Sequence, residues 1–296
     1  MTGKPFVVAC IPAFNEEANI AKVVLTVERF VDRVLVCNDG STDMTGVIAE
    51  ALGAEVIRHE TNLGYGAALQ SLFEEARKGG VDVAVTLDAD GQHDPSEIPK
   101  LLKRLSLGDV DIVIGSRFLE GGGSEVPEGR KAGIKVLSGL VSNGEVRITD
   151  AQSGFRAYNR HALETLKLSE LGMGLSTEIL VKAGNHGLKI AEVPICVSYD
   201  EDSAKQTPVL QGSSVLLSTL KYLSINRPLL FFGLPGLMAT VASMALWGLT
   251  LYAYGETHVV SLNMVVATLG ATFIGLILLT TSVILWVIVS VVREKP

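Results

Sequence analysis

Two long stretches without a charged residue occupy the carboxyl-terminal part of the chain and constrain its fold most strongly. No Asp, Glu, Lys or Arg occurs from Leu229 to Tyr254 or from Val259 to Val292, and each stretch exceeds the roughly 20 residues that cross the hydrocarbon core of a bilayer. Because a helix satisfies its own backbone polar groups in such a medium, the pattern predicts a transmembrane hairpin over residues 228–296, with spans at about 229–254 and 262–292. A hairpin buried in a soluble core is the alternative.

The basic residues around this hairpin predict its orientation. Lys221 and Arg227 precede the first span, Arg293 and Lys295 follow the second, and the connecting tetrapeptide has neither Lys nor Arg. The positive-inside rule therefore predicts both termini, and the domain ahead of the hairpin, on the cytoplasmic side. No hydrophobic leader with a small-residue cleavage site is visible near the amino terminus, which agrees with that location.

Short apolar segments alternate with amphipathic ones over residues 1–207 and predict an α/β domain with a mostly parallel sheet. The predicted strands are Phe6–Ile11, Arg33–Val36, Ala54–Ile57, Val83–Leu87 and Ile112–Ile114. Polar motifs follow the first four strands, and ligands of such sheets bind beyond the carboxyl ends of the strands. Segment 208–227 has leucines at near-helical spacing, which predicts an interfacial amphipathic helix on the membrane or packed on the domain.

The fourth predicted strand ends in two carboxylates and an amide at alternate positions, Asp88, Asp90 and Gln92. Alternate residues of an extended segment point the same way, so the three side chains face one cavity if the extended geometry persists. Oxygen ligands of this kind suit Mg²⁺ or Mn²⁺. A solvated acidic turn after a buried strand is the alternative.

Composition and cysteine spacing narrow the classes of partner. The net charge of −7, without a basic stripe interleaved with aromatic residues, argues against nucleic acid. Cys10, Cys37 and Cys196 are too dispersed for a metal-ligand or redox motif. They are expected to be reduced core residues within strands.

Four motifs occur in a fixed order along the predicted sheet. They are Pro12-Ala13-Phe14-Asn15-Glu16, Asp39-Gly40-Ser41-Thr42-Asp43, Asp88-Ala89-Asp90-Gly91-Gln92-His93 and Gly115-Ser116-Arg117. In this order and spacing they resemble family-two glycosyltransferases with the GT-A fold, which is Rossmann-like. The later segment Asp150-Ala151-Gln152-Ser153-Gly154-Phe155-Arg156 is similar to that of dolichyl- or polyprenyl-phosphate sugar synthases. The resemblance covers about residues 5–200.

The resemblance implies a nucleotide-sugar donor bound with a divalent cation, and it assigns residues to both. Asp90 is the first-choice cation ligand, and Asp88 and Gln92 complete or support the site. The donor-binding residues are Pro12, Phe14, Glu16, Asp39, Asp88 and Lys205. Asp39 is expected to contact the base or ribose, and Lys205 the diphosphate, with an exposed surface lysine as the alternative.

The implied acceptor is a polyprenyl or dolichyl phosphate whose chain stays in the membrane lipid. A phosphate monoester is largely anionic near neutral pH, so its oxygen needs no strong general base to act as a nucleophile. The site needs cations instead, and the candidates are Arg117, Arg130 and Lys131. For Arg130 and Lys131, a lipid headgroup contact or a solvated face is the alternative.

Several other polar residues have two interpretations. Asn15 is a pocket residue or a helix cap, and Asp43 is expected to cap a helix rather than bind a ligand. His93 is expected to orient its neighbours rather than bind metal. Similar enzymes often place an acidic residue beside the acceptor or sugar at the position of Glu178. The alternative is that the charge of Glu178 stabilises the start of a helix.

Residues and resemblance together predict an inverting, metal-dependent glycosyltransferase with Asp90, Arg117 and Asp150 as catalytic residues. It would transfer one hexose or N-acetylhexosamine from a UDP- or GDP-linked sugar to dolichyl or polyprenyl phosphate. The alternatives are a processive polysaccharide synthase, whose Gln-x-x-Arg-Trp motif is absent here, and a non-catalytic membrane scaffold. The sugar, the nucleotide and the oligomeric state, a homo-oligomer included, stay open.

Overall fold

The structure is a computed structural model that describes residues 4–119, 148–172, 174–197, 224, 228–259 and 261–293, with side chains described as far as residue 289. The described residues form two compact units, one within Met1–Ser218 and one within Thr219–Pro296. The predicted interfacial helix at 208–227 lies outside the described residues except for Ser224. The domain limits at 207 and 227 therefore stay predictions.

One mixed sheet organises the first unit. Its strands in the described residues are β1 (Val7–Ala13), β2 (Arg33–Asp39), β3 (Glu55–His59), β4 (Val83–Thr86), β5 (Ile112–Ser116), β6 (Arg156–Asn159) and β7 (Ile190–Pro194). Their order across the sheet is β3-β2-β1-β4-β6-β5-β7. Neighbouring strands pair in parallel, except that β6 runs antiparallel to both β4 and β5. The mostly parallel sheet and all five predicted strands are confirmed.

Helices cover both faces of this sheet because its strands are apolar on both faces. The helices are α1 (Ile20–Val27), α2 (Thr45–Ala51), α3 (Tyr65–Lys78), α4 (Ile98–Leu105), α5 (Arg160–Thr165) and α6 (Leu175–Asn185), with a 3₁₀ turn at Pro95–Glu97. Alternate residues of β1 point to opposite faces. Val8 and Cys10 join the cluster that contains Phe73 of α3, whereas Ala9 and Ile11 join the cluster on the other face.

Strand β6, like β7, is not among the five strands that the sequence pattern predicts. It has four residues and begins with Arg156, which is 1% exposed. The guanidinium donates to the carbonyl oxygens of Ser153 and Ala151, each at 2.8 Å. A search for apolar segments does not distinguish a buried, hydrogen-bonded arginine from an arginine in a solvated loop.

The prediction that all three cysteines lie in buried strands was wrong for Cys196. Cys10 and Cys37 are buried in β1 and β2, whereas Cys196 is exposed and follows β7. Burial raises the pKa of both Cys10 and Cys37 to about 12. The two buried thiols are therefore protonated near neutral pH.

Two long apolar helices make up the described part of the second unit. They are α7 (Leu234–Thr257), preceded by a π-helical turn at Leu229–Gly233, and α8 (Leu262–Arg293). The spans Leu229–Thr257 and Leu262–Val289, of 29 and 28 residues, are long and apolar enough to cross a membrane. Only 11% of each span is buried, which does not fit the alternative of a soluble core hairpin. The helices indicate membrane association.

Small and hydroxyl-bearing residues line the contact between α7 and α8. The hydroxyl oxygens of Ser243 and Thr272 lie 2.6 Å apart, and Trp247 Nε1 donates to Thr272 Oγ1 at 3.3 Å. Gly275 lies against Thr240, where an added Cβ would be 2.6 Å from Oγ1 and 3.0 Å from the backbone nitrogen. Close backbone approach and interhelical hydrogen bonds are the usual sources of helix association in lipid.

Substituting leucine for Gly275 is therefore expected to push the two helices apart and to destabilise the hairpin by about 1–3 kcal/mol, as overpacking does elsewhere. The measurement is thermal unfolding of the full chain in detergent. Gly270→Leu is the matched control, because a Cβ at Gly270 of the same helix meets nothing within 4 Å. Equal melting temperatures for the two variants would contradict the prediction.

Candidate functional site

Acidic side chains meet at the edge of the sheet where β1, β2 and β4 have their carboxyl ends. Glu16 follows β1, Asp43 follows β2, and Asp88 and Asp90 follow β4. Burial raises the pKa of Glu16, a hydrogen bond from Asn19 opposes that shift, and the charges of Asp90, Asp43 and Asp88 add to it. The carboxylates are thus close enough to repel one another, and a bound cation would relieve that repulsion.

Asp88 carries an unpaired oxygen in this group. Its side chain is 31% exposed, yet Oδ1 is buried and has no hydrogen-bond partner. Burial raises the pKa of Asp88, whereas the Tyr65 hydroxyl and the charges of Arg117 and Arg156 lower it. Leaving a buried acceptor unpaired costs free energy, which a ligand or ion at that oxygen would recover.

Gly154 lies directly behind the Asp88 carboxylate. An added Cβ would be 2.7 Å from each of the two carboxylate oxygens. Gly154→Ala is therefore expected to displace Asp88 and to lower the sugar transfer that the resemblance implies by about tenfold or more, since small misplacements of a reacting group cost up to about 100-fold. The rate is measured at saturating donor and cation concentrations.

Gly172→Ala is the matched control for that substitution, because the Cβ there would meet only Glu170 Oε1, at 3.5 Å. This variant should retain the rate of the unsubstituted protein. A Gly154→Ala variant that is as active as Gly172→Ala would show that Asp88 has room to move without consequence.

Asp90 and Gln92 lie in the turn after β4. The Gln92 backbone nitrogen donates to Asp90 Oδ1 at 2.9 Å, and Gly91 between them has a φ of 72°. Gln92 also lines a pocket of about 270 Å³ against α1, together with Lys22 and His93. The alternate-residue geometry expected of an extended segment therefore does not persist to Gln92, because the chain turns at Ala89–Asp90 and Gly91 has a positive φ.

The described residues contain no group of three or more His, Cys, Asp or Glu side chains arranged to hold a metal ion by themselves. Mg²⁺ in enzymes commonly takes one or two carboxylates and completes its octahedron with water and substrate phosphates. The unpaired Asp88 oxygen and the neighbouring Asp90 carboxylate fit a site of that kind. They do not form a closed protein cage.

His93 is buried beneath these carboxylates. It is 6% exposed, its Nδ1 has no hydrogen-bond partner and lies 3.8 Å from Asp88 Oδ2, and its ring centroid is 5.4 Å from that of Phe155. Burial lowers the pKa of His93 to about 4, against the opposing charge of Asp90. The ring is packed on Phe155, and the expected orienting role of His93 stays a prediction.

Hydrogen bonds join the loop after β1 to the loop after β2. Thr42 N donates to Asn15 Oδ1 at 2.9 Å, and Asn15 N donates to Ser41 Oγ at 3.0 Å. Asn15 has a φ of 54° and does not cap α1, whose N-cap residue is Asn19. Asn15 lies between Phe14, which is 41% exposed, and Glu16, which is half-buried. Pro12 is buried within β1.

Asp43 bonds to the start of α2, although the N-cap residue of that helix is Met44. Its Oδ1 accepts from the backbone nitrogen of Thr45, the first residue of α2, at 3.0 Å. Its Oδ2 accepts from Glu17 N at 3.1 Å, which adds a further bond between the two loops. The expected helix-start role fits these contacts.

Asp39 lies at the end of β2 and is only 4% exposed. Its Oδ1 accepts from His59 Nδ1 at 2.6 Å and from Leu63 N at 3.0 Å, and its Oδ2 accepts from Gly64 N at 2.8 Å. The structure thus places Asp39 under the loop that leads from β3 to α3. The expected base or ribose contact stays a prediction.

Arg117 and Asp150 form a buried ion pair. Arg117 Nε donates to Asp150 Oδ2 at 2.7 Å, and Nη2 donates to Oδ1 at 2.8 Å. The two side chains are 8% and 0% exposed. Glu192 of β7 accepts from the Asp150 backbone nitrogen at 2.9 Å. Because Asp150 neutralises the guanidinium, the pair attracts a phosphate less strongly than an unpaired arginine would.

Glu178 is buried in α6 and bonded to the segment ahead of that helix. Its carboxylate accepts from Ser169 N at 3.0 Å and Glu170 N at 2.8 Å, and it lies 2.7 Å from Lys182 Nζ. Burial raises the pKa of Glu178, but these hydrogen bonds outweigh burial and lower it overall. The contacts favour the structural interpretation over a position beside the acceptor.

Three of the predicted site residues lie outside the described residues: Arg130, Lys131 and Lys205. Sequence reasoning gave no site role to Tyr65, Gly154 or Glu192, which contact Asp88 or Asp150. Gly154 occurs within the segment Asp150–Arg156 quoted above, so its position was visible in the sequence but its contact with Asp88 was not. Glu192 is an ordinary charged residue of a strand and carries no sequence signal of its role.

Comparisons with known proteins agree with this geometry. Residues 8–167 match the family model Glycosyl transferase family 2. The chain is 34% identical over 233 residues to a UDP-N-acetylglucosamine–dolichyl-phosphate N-acetylglucosaminyltransferase of Methanococcus voltae, covering 71% of this chain and 93% of that one. It is 33% identical over 211 residues to a dolichyl-phosphate hexose transferase of Haloferax volcanii, covering 70% and 90%.

The fold is also similar to that of solved structures. The glucosyl-3-phosphoglycerate synthase of Mycobacterium tuberculosis, solved with Mn²⁺ and UDP-glucose, superposes with a TM-score of 0.58 at 24% identity, covering 74% of this chain and 78% of that one. Fold and site together define a glycosyltransferase with the GT-A fold, followed by two apolar helices. The chain belongs to glycosyl transferase family 2.

Proposed function

We propose that this glycosyltransferase moves one hexose or N-acetylhexosamine from a UDP- or GDP-linked sugar to a dolichyl or polyprenyl phosphate. The observation that carries the proposal is the unpaired, buried Asp88 oxygen among mutually repelling carboxylates at the ligand-binding edge of the sheet. The relatives that transfer sugars to dolichyl phosphate support the acceptor class. Direct attack of the phosphate oxygen on the anomeric carbon would invert its configuration.

Asp88 and Asp90 would hold Mg²⁺ or Mn²⁺, with Gln92 supporting Asp90 through its backbone nitrogen. The Mn²⁺ found in a structural neighbour supports a divalent ion. When bound, the ion neutralises the charge that develops on the departing diphosphate. Phe14 and Glu16 would line the nucleotide pocket, beside the hydrogen bonds that join the β1 and β2 loops. Lys205 would contact the diphosphate.

On the acceptor side, Arg130 and Lys131 would hold the lipid phosphate. Arg117 would contribute with Asp150, which fixes the plane of its guanidinium. The apolar hairpin would keep the lipid-linked substrate and the enzyme at the same surface, with the catalytic unit and both termini on the cytoplasmic side.

The test is a donor screen with the full chain in detergent. Labelled UDP-glucose, UDP-N-acetylglucosamine and GDP-mannose are each incubated with polyprenyl phosphate and Mg²⁺ or Mn²⁺, and the organic phase is counted. One donor should give an organic-extractable product that chelation by EDTA abolishes. No product from any donor would contradict the proposal, and a water-soluble polymer would favour a processive synthase.

A further inference from the structure

A polar chain runs through the first unit beside the proposed donor site. Ser71 of α3 lies 2.9 Å, Oγ to Nε2, from His59, the last residue of β3. His59 Nδ1 donates in turn to Asp39 Oδ1 at 2.6 Å. The His59 and Asp39 side chains are 10% and 5% exposed, so the interaction is shielded from water.

The same three residue types form the catalytic triad of many hydrolases, but the surroundings here do not suit that chemistry. Ser71 lies inside α3, where helical hydrogen bonds occupy the backbone N–H groups that would have to stabilise an oxyanion. Cys37 Sγ also lies 3.6 Å from His59 Nε2, on the same side as the serine. The chain of contacts instead leads outward, through Asp39, to the edge of the sheet.

Asp39 connects His59 to the loop Asn62–Gly64. The carboxylate accepts from two consecutive backbone nitrogens, those of Leu63 and Gly64. Gly40 lets the β2 end approach the same loop, since an added Cβ there would lie 2.4 Å from the carbonyl carbon of Thr61. The Asp39 carboxylate therefore helps to hold the loop in place.

The loop leads directly to the acidic edge. Gly64 has a φ of 101°, and the next residue, Tyr65, begins α3 and places its hydroxyl beside Asp88. The backbone nitrogens of Gly66 and Ala67 donate to Leu171 O at 2.8 and 3.2 Å, so the start of α3 and Tyr65 are held independently of the loop.

We propose that His59 is a positioning residue of the donor site, which bridges Ser71 and Asp39 and so holds the loop Asn62–Gly64 where the nucleotide diphosphate binds. The inference rests on the proposed function. Without the Nδ1 bond, Asp39 keeps its two backbone donors but loses the third hydrogen bond, which holds Oδ1. Donor binding then weakens, while the chemical step, which takes place at Asp88 and Asp90, is changed little.

Two amide substitutions separate the two ring nitrogens of His59. The asparagine Nδ2 atom is as many bonds from Cα as the histidine Nδ1, so His59→Asn keeps a donor for Asp39. The glutamine Nε2 atom corresponds to the histidine Nε2, so His59→Gln keeps a partner for Ser71 and loses the bond to Asp39. Both variants are made in the full chain, and their melting temperatures are compared by circular dichroism.

Calorimetry with Mn²⁺ and UDP or GDP, whichever binds the unsubstituted protein, measures the effect. His59→Gln is expected to raise the dissociation constant and the donor KM about tenfold, with kcat within about threefold, as loss of a hydrogen bond to a charged group would do. His59→Asn should restore both constants to within about threefold. A merely structural role would instead lower the melting temperature of both variants, without a selective rise of the dissociation constant and KM in His59→Gln.

An unchanged dissociation constant in His59→Gln would overturn the inference and leave the proposed function intact. An equally raised dissociation constant in His59→Asn would do the same. Failure of the unsubstituted protein to bind either nucleotide would overturn both. If His59→Gln does not fold, Ser71→Ala tests the inference instead, because it removes the hydrogen bond to the other ring nitrogen of His59. A weaker nucleotide affinity in that variant supports the positioning role, and an unchanged affinity overturns it.

Discussion

Asp90→Asn is expected to lower the rate of sugar transfer by about 100- to 1,000-fold, the usual loss when one group that stabilises transition-state charge is removed. The substitution keeps the shape of the side chain and the acceptor for Gln92 N, but it removes the negative charge that would hold the cation. The rate is measured with the donor and cation found in the screen.

The same variant should fold as well as the unsubstituted protein. The charge of Asp90 contributes to the raised pKa of Glu16, so its removal relieves repulsion among the carboxylates. The melting temperature is expected to be equal or slightly higher, and calorimetric uptake of Mn²⁺ with nucleotide should fall. Asp109→Asn, which changes an exposed carboxylate paired with Arg104, is the control and should keep full activity. An Asp90→Asn enzyme with half of the normal rate would refute the proposed cation site.

Asp150→Ala is expected to have the largest effect on stability, a loss of about 3–5 kcal/mol in the free energy of unfolding of the first unit. The reason is that Arg117 would remain buried without its partner, at a position where its side chain is only 8% exposed. At about 2–4 °C per kcal/mol for a unit of this size, the melting temperature should fall on the order of 10 °C. Thermal unfolding followed by circular dichroism measures it.

A double variant tests this explanation. Arg117→Met combined with Asp150→Ala removes both charges and should be more stable than Asp150→Ala alone, because no uncompensated charge stays in the interior. Asp109→Ala, which breaks an exposed ion pair, should not change the melting temperature measurably. A double variant as unstable as the single one would mean that lost packing, rather than a buried charge, causes the effect.

The double variant also separates the two roles considered for Arg117. If its charge assists the acceptor phosphate, a folded Arg117→Met/Asp150→Ala enzyme will transfer poorly, with a raised KM for polyprenyl phosphate. If the ion pair only stabilises the fold, the folded double variant will keep its transfer rate. The buried, bidentate geometry favours the second result.

Local pattern was enough to predict the strands that build the site. β1, β2 and β4 are short, nearly continuous apolar segments, because both of their faces are covered by helices. Their carboxyl ends carry the polar motifs, so the meeting of Glu16 with Asp88 and Asp90 follows from a general property of parallel sheets. β6 escaped prediction because a buried arginine interrupts the apolar pattern.

Long-range partners were not predictable in this way. Arg117 and Asp150 were each recognised as site residues, but nothing in the sequence indicated that they bond to each other across 33 positions. The same holds for Asp39 and His59, which are 20 positions apart. A charged residue has the same sequence signal whether it meets a ligand, a counter-ion or water.

The amino-acid sequence by itself determined the alternation of strands and helices, the two apolar spans and the edge at which carboxylates collect, because periodicity and hydrophobicity act over a few neighbouring residues. Only the tertiary structure decided which of the polar residues are already satisfied by the protein. Asp39, Asp150 and Glu178 have protein partners, whereas Asp88 Oδ1 has none. Hydrogen bonds and ion pairs form through space, so the unpaired oxygen becomes visible only once the chain is folded.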